Sequence, residues 1–129
     1  MIQKFSKTER SSFPYWFAHW CAVNMVAILL KVWKPRYLLH DILKPWHMWL
    51  CGDYSKVQAY HRAHARHHLT YPGKKDWEMM VIDWEAGHYT KENQPLHARE
   101  EAIRQMEKHP ELAEEIRKNV FPILDRLGL

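Results

Sequence analysis

Glycine is scarce in this chain, with four in 129 residues, and cysteine scarcer, with two. So few glycines argue against a turn-rich β-sandwich or barrel. No long Val/Ile/Thr alternation supplies strands instead. Cys21 and Cys51 cannot build a disulfide framework, and no secretory signal opens the sequence. The expectation is a reduced, cytoplasmic chain. Long apolar runs are also missing. The stretch from Cys21 to Leu30 holds Asn24 and is closed by Lys31 and Lys34. It falls short of the ~20 apolar residues that a membrane span needs, so it reads as a buried core helix with no membrane partner. Low-complexity segments and internal repeats are absent too. Apolar residues make up 47%, enough for one small core. The net charge of +4 is mildly basic and suits anionic small molecules or nucleic acid. Most of the positive charge precedes Lys75, and acid is richer from Glu78 to Glu115.

Abundant Ala, Leu, Glu, Lys and Arg predict an all-α single domain, residues 1–129, of about six helices. Ser11 or Ser12 caps the first, which carries Pro14 in its first turn and runs to about Trp33 before Lys34-Pro35. A second begins near Leu38, carries His40 and Asp41, and is kinked by Pro45. Cys51-Gly52-Asp53 stops it. Ser55 caps a third helix through Leu69, ended by Tyr71-Pro72-Gly73. The fourth runs from Asp76 to about Ala86, with Gly87 as its stop. Gln94 and Pro95 open a fifth to Lys108. Pro110 opens a sixth, from Glu111 to Leu127, bent by Pro122.

What the chain has in excess is histidine, ten in all. On the third helix His61, His64 and His68 share one face, and His67 lies about 100° from His68. Two or three of these can bind one metal together through neutral ring nitrogens. Asp83 stands in the apolar run Met79 to Trp84, and Asp41 between Leu38-Leu39 and Ile42-Leu43. Burying either carboxylate is costly unless it is paired or coordinates a cation. His19 sits between Phe17 and Trp20 on a face that should meet the core, as a hydrogen-bonded core residue or a ligand. One shared metal accounts for all of these. His47, His88, His97 and His109 read as surface or capping residues.

The order His19, His40-Asp41, a histidine cluster and Asp83 resembles the HD-domain superfamily of all-helical, metal-dependent phosphohydrolases. More closely, Leu39-His40-Asp41-x-x-Lys44, His61 with Arg66-His67-His68, Met80 to Glu85, and Tyr89-Thr90-Lys91 look like a family of short HD-like proteins without an assigned activity. That likeness covers Leu38 to Leu129. It implies one or two divalent ions (Mn, Fe, Co, Ni, Zn or Mg). His19, His40, Asp41 and Asp83 would hold the first. His61 with His67 or His68 would hold a second, bridged by Asp41. It also implies hydrolysis of a small phosphorylated or nucleotide substrate. Lys44 then contacts a phosphate or leaving oxygen, and Arg62 and Arg66 clamp phosphate or form a solvated face. Glu85 orients a ligand or activates water, or makes an exposed salt bridge. Two alternatives follow from the same residues. One is a di-iron oxygenase with an aromatic-lined pocket. The other is a non-catalytic, metal-stabilised binding module for which the basic half of the chain suggests nucleic acid, although no nucleic-acid motif is present.

Overall fold

The computed structural model describes residues 4–93 and 96–129, with backbone only at 7 and 8. It is all-α. The helices are α1 (Phe13–Leu29), α2 (Lys44–Cys51), α3 (Tyr54–His64), α4 (Trp77–Thr90), α5 (Ala98–Lys108), α6 (Ala113–Asn119) and α7 (Phe121–Leu127). Among the described residues there is no strand, only an isolated bridge between Phe5 and Lys91. No helix is long and apolar enough to cross a membrane.

α4 organises the fold. One of its sides, through Met79, Ile82 and Ala86, packs on Ala22, Val23, Val26 and Ala27 of α1 and on Tyr37. The other, through Met80 and Val81, meets Ala98, Ala102, Ile116, Val120 and Leu124 of α5 to α7. A helix covered from two sides must be apolar nearly all round, which explains its run of Met, Val and Ile. α2 and α3 form a peripheral hairpin. α2 buries no residue fully and α3 only Val57.

Several helix ends differ from expectation for identifiable reasons. α1 stops at Leu29, not near Trp33. Lys31 turns left-handed (φ 61°), and the bonds Val32 N to Ala27 O and Lys31 N to Ile28 O close the end in a Schellman pattern. The second helix does not carry the His40-Asp41 doublet. Pro45 lies in the first turn of α2, where its missing N–H costs nothing, so it opens that helix instead of kinking it. The doublet sits before it in a string of tight turns, with Asp41 left-handed at φ 55°. Asp53, not Ser55, caps α3, its Oδ1 accepting from Lys56 N at 3.3 Å. α3 leaves the helical path at Ala65, not Leu69. His67 and His68 therefore stand on the following turn, and the expected three-histidine helical stripe does not form.

Gly87 does not stop α4. It is buried inside the helix, where a Cβ would meet the Lys91 side chain at 3.5 Å. Gln94 and Pro95, the expected opening of the fifth helix, lie outside the described residues; α5 itself begins at Ala98 with His97 as N-cap. The expected sixth helix is a short 3-10 turn at Pro110–Leu112 followed by α6 and α7, which meet at Val120. Pro122 occupies the first turn of α7.

Candidate metal centre

Four separate pieces of chain meet between α1 and α4. α1 contributes His19 and α4 contributes Asp83. The turns before α2 bring His40 and Asp41. The end of α3 supplies His61, and the turn after it His67 and His68. His19 Nε2 lies 2.7 Å from Asp83 Oδ1, and His40 Nε2 lies 3.0 Å from the same oxygen. Asp41 Oδ1 stands 2.7 Å from His61 Nε2 and 3.2 Å from His67 Nε2. His68 closes the group, its ring 4.3 Å from that of His67 and 4.8 Å from that of His61.

Within this group three triads have ligand atoms within 4.8 Å of one another: His19, His40 and Asp41; His40, His67 and Asp83; and His61, His67 and His68. The first two triads share His40, and the last two share His67. The decisive feature is how these atoms face one another. Asp41 Oδ1 and the Nε2 atoms of His40, His61, His67 and His68 are buried, and none has an aligned hydrogen bond despite the short distances. A buried polar atom left unsatisfied costs about 1–3 kcal/mol, so five in one place demand a compensating partner. A cation held between nitrogen and carboxylate donors supplies it, and the residues present fit one.

The surroundings fix these ligands. The doublet turn is tied to α1 at three points one turn apart. Trp16 Nε1 donates to Asp41 O (2.8 Å), Trp20 Nε1 to Leu38 O (2.9 Å) and Asn24 Nδ2 to Tyr37 O (3.2 Å). Side chains thereby satisfy carbonyls that a helix would otherwise have used. Thr90 Oγ1 donates to Ala86 O and lies 3.5 Å from His19 Nδ1. Without an ion, Nε2–H donates to Asp83 Oδ1 at 2.7 Å; with one, a proton on Nδ1 facing the Thr90 hydroxyl would free the Nε2 lone pair for it.

Burial favours the neutral, ligating form at three of the imidazoles. Burial holds His19, His61 and His68 below the ordinary histidine value, most strongly at His68. Burial also disfavours charge on His40, but the Asp41 and Asp83 carboxylates outweigh it and raise that ring. Burial alone would raise both aspartates. His40, His61 and His67 hold Asp41 well below the usual carboxylate range, and His19 and His40 do the same for Asp83. For the metal-free chain the sign follows. Unfolding lets three histidines take up protons below pH 6.5, which destabilises the fold as pH falls from about 7 toward 5. His40 contributes in the opposite sense, its stability fully present below 6.5 and lost as pH rises through its folded value. The denaturation midpoint of chelator-treated protein should therefore fall on acidification through this window. A midpoint that rises would contradict these protonation states.

Not every residue singled out in the sequence reaches the centre. His64 stays outside. It is exposed, its ring stacks on Tyr60 at 3.9 Å, and its Nδ1 donates to Tyr60 O. Ending α3 at Ala65 is what separates it from the others. Arg66 is turned away, with Nε on Lys74 O at 3.1 Å. Glu85 is neither exposed nor at the centre. It is buried on the opposite side of α4, where Oε1 accepts from Ala98 N and Oε2 pairs with His97 Nδ1, both at 2.8 Å. Lys44 and Arg62 do line the cleft that opens on the ligands.

Three further residues there are given no site role by the sequence. Arg10 lies in a 3-10 turn ahead of α1, bonds Asn93, and keeps its buried Nε without a hydrogen-bond partner. Tyr15, one helical turn before His19, has its phenol pushed up by burial and then by the Asp83 charge. Burial lowers the Lys91 ammonium, even with Asp83 opposing. Lys91 belongs to the Tyr89-Thr90-Lys91 segment of the resemblance, but only the fold turns it toward the cleft. No family model, curated protein or solved structure matches the chain.

Proposed function

We propose that this is a metal-dependent phosphohydrolase of the HD type, acting on a small phosphate ester. One observation carries the reading: the cluster of five imidazoles and two carboxylates opens on a cleft lined by Arg10, Lys44, Arg62, Lys91 and Lys108. Donors for a cation and cations for an anion, side by side, are the complement of a phosphate. An imidazole-rich set with two carboxylates suits Mn, Fe, Co, Ni or Zn better than Mg.

His19, His40, Asp41 and Asp83 form one ligand set, and His61, His67 and His68 with Asp41 the other. An ion bound there offsets charge on phosphoryl oxygens and lowers the pKa of water to near neutrality. The protein's own groups position the ester. Lys44 sits beside Asp41 where it can hold a phosphate or leaving oxygen, and Arg10 lines the same junction. Tyr15 and Lys91 flank the cleft and are placed to hand a proton to the departing oxygen.

The test is hydrolysis of a panel of phosphate monoesters, including nucleotides, by protein reconstituted with each metal. Release of phosphate that depends on added metal supports the reading, and none with any metal overturns it. Lys44→Ala should lower kcat/KM by about 10- to 100-fold, the loss of one charge-assisted contact, with metal content unchanged. A second reading, an HD-type di-iron oxygenase, draws on the apolar recess beside the ligands, lined by Phe13, Trp16 and Trp49. Iron retention with dioxygen-dependent colour would favour it.

A further inference from the structure

Two cavities meet at the candidate metal centre, and their characters are opposite. The cationic cleft has a volume of about 290 Å³. On the other side a recess of about 390 Å³ is walled by Phe13, Trp16, Pro45, Met48 and Trp49. Arg10, Tyr15, His19, Asp41 and Lys44 line both. The recess alone is within the size range of small-molecule sites. It is built from the start of α1 and the first turns of α2, and Phe13 and Trp49 are largely exposed at its edges. A phosphate and a sugar need none of this apolar wall.

We infer that the substrate is a dissolved amphiphilic phosphate monoester. Its phosphate lies at the metal ligands and its aliphatic or aromatic group in the Phe13–Trp16–Met48–Trp49 recess. The inference rests on the phosphohydrolase reading and names the class of alcohol esterified. Geometry ties the two ends together. Lys44 and Pro45 are consecutive, so the residue placed to hold the phosphate is followed by the first wall of the recess. Met48 and Trp49 come one turn later on the same helix. Tyr15 and Trp16 repeat the pattern on α1, Tyr15 lining both cavities and Trp16 the recess alone. A chain leaving the phosphate oxygen thus finds apolar surface within one residue on either side. Glu101, an acid in the cleft, is taken up by Arg104 at 2.8 and 2.9 Å, which leaves the anion site cationic.

The test uses non-hydrolysable probes, butylphosphonate and octylphosphonate, titrated calorimetrically into manganese-loaded protein. Burial of a methylene is worth roughly fourfold in affinity, so octylphosphonate should bind at least about tenfold tighter. Met48→Glu, which places a carboxylate in the recess, should erase that preference. Trp49→Ala, at an exposed position, should reduce it. Equal affinity of the two phosphonates in the unaltered protein would overturn the inference. So would octanol binding as tightly as octylphosphonate, since the recess would then work without the anion site. Retention on vesicles of phosphatidic acid with no binding of dissolved octylphosphonate would overturn it in favour of a membrane lipid. Hydrolysis is read separately with butyl and octyl phosphate. Turnover of both without a chain-length preference removes this inference alone. A chain-length preference in binding without turnover removes the phosphohydrolase reading and leaves the amphiphilic phosphate as a ligand, not a substrate. No binding of either phosphonate removes both.

Discussion

Asp41→Asn should abolish metal-dependent phosphate release and the thermal stabilisation that added metal gives, while leaving the protein folded. Asp41 is the residue on which the two ligand sets converge, with His40 at 3.4 Å, His61 at 2.7 Å and His67 at 3.2 Å from its carboxylate. Its side chain is only 6% exposed, so no solvent molecule can stand in freely for the lost charge. Asparagine keeps the shape and tolerates the left-handed backbone at φ 55°. Alanine does not, and Asp41→Ala should add a cost of about 1–2 kcal/mol from the backbone alone. The pair separates the two roles of the residue. Loss of metal in both variants, with a further fall in apparent melting temperature only in Asp41→Ala, is the expected pattern. An Asp41→Asn protein that still hydrolyses phosphate esters with added metal would mean the centre is held elsewhere.

The contrast between Asp41 and the rest of its segment shows what a sequence conveys here. The cost of an isolated carboxylate among apolar residues was readable at Asp41 and Asp83, because burying a charge without a partner is prohibitive in any fold. The same logic placed His19 on a core face. What could not be read was the backbone at the doublet. A proline can kink a helix or start one. The choice at Pro45 is made by Trp16, Trp20 and Asn24 of α1, which hold the preceding carbonyls in turns. Helical periodicity likewise put His61, His64 and His68 on one face. Tertiary contacts of the 65–76 segment end that helix early, with Asp76 N bonded to Arg66 O and Thr70 Oγ1 to Arg62 O. His64 is lost to the centre, and His67 and His68 reach it from a turn. Gly87 reads locally as a stop signal, but it lies buried inside α4, where a Cβ would make only ordinary contact with the flexible Lys91 side chain at 3.5 Å. The all-helical character survived these shifts, since it depends on composition and on spacing over the whole chain.

Glu85→Ala should cost about 2–4 kcal/mol of stability and leave metal content unchanged. Resemblance to the HD enzymes suggests a role at the centre for this acid, but it holds the start of α5. Its two oxygens satisfy Ala98 N, which is fully buried, and His97 Nδ1. Removing them leaves a buried donor without a partner, together with the space of the missing side chain. Because α5 packs on α4 through Ala98 and Ala102, loosening its first turn weakens the second core cluster. Glu85→Gln retains an acceptor for Ala98 N and should lose less than half as much. Urea denaturation of the three proteins, with metal content measured alongside, distinguishes this anchoring from a part in catalysis. A Glu85→Ala protein of full stability but without activity would return the residue to the site.

The proposed metal ligands are His19, His40, Asp41, His61, His67, His68 and Asp83. Elemental analysis of the purified chain, after reconstitution with Mn, Fe or Zn and removal of excess ion, tests this proposal most directly. The expected result is about one or two ions per chain, as for other centres built from two such ligand sets. A chain that retains none of the three would contradict the proposal and leave the buried imidazoles and carboxylates as a proton-linked structural cluster.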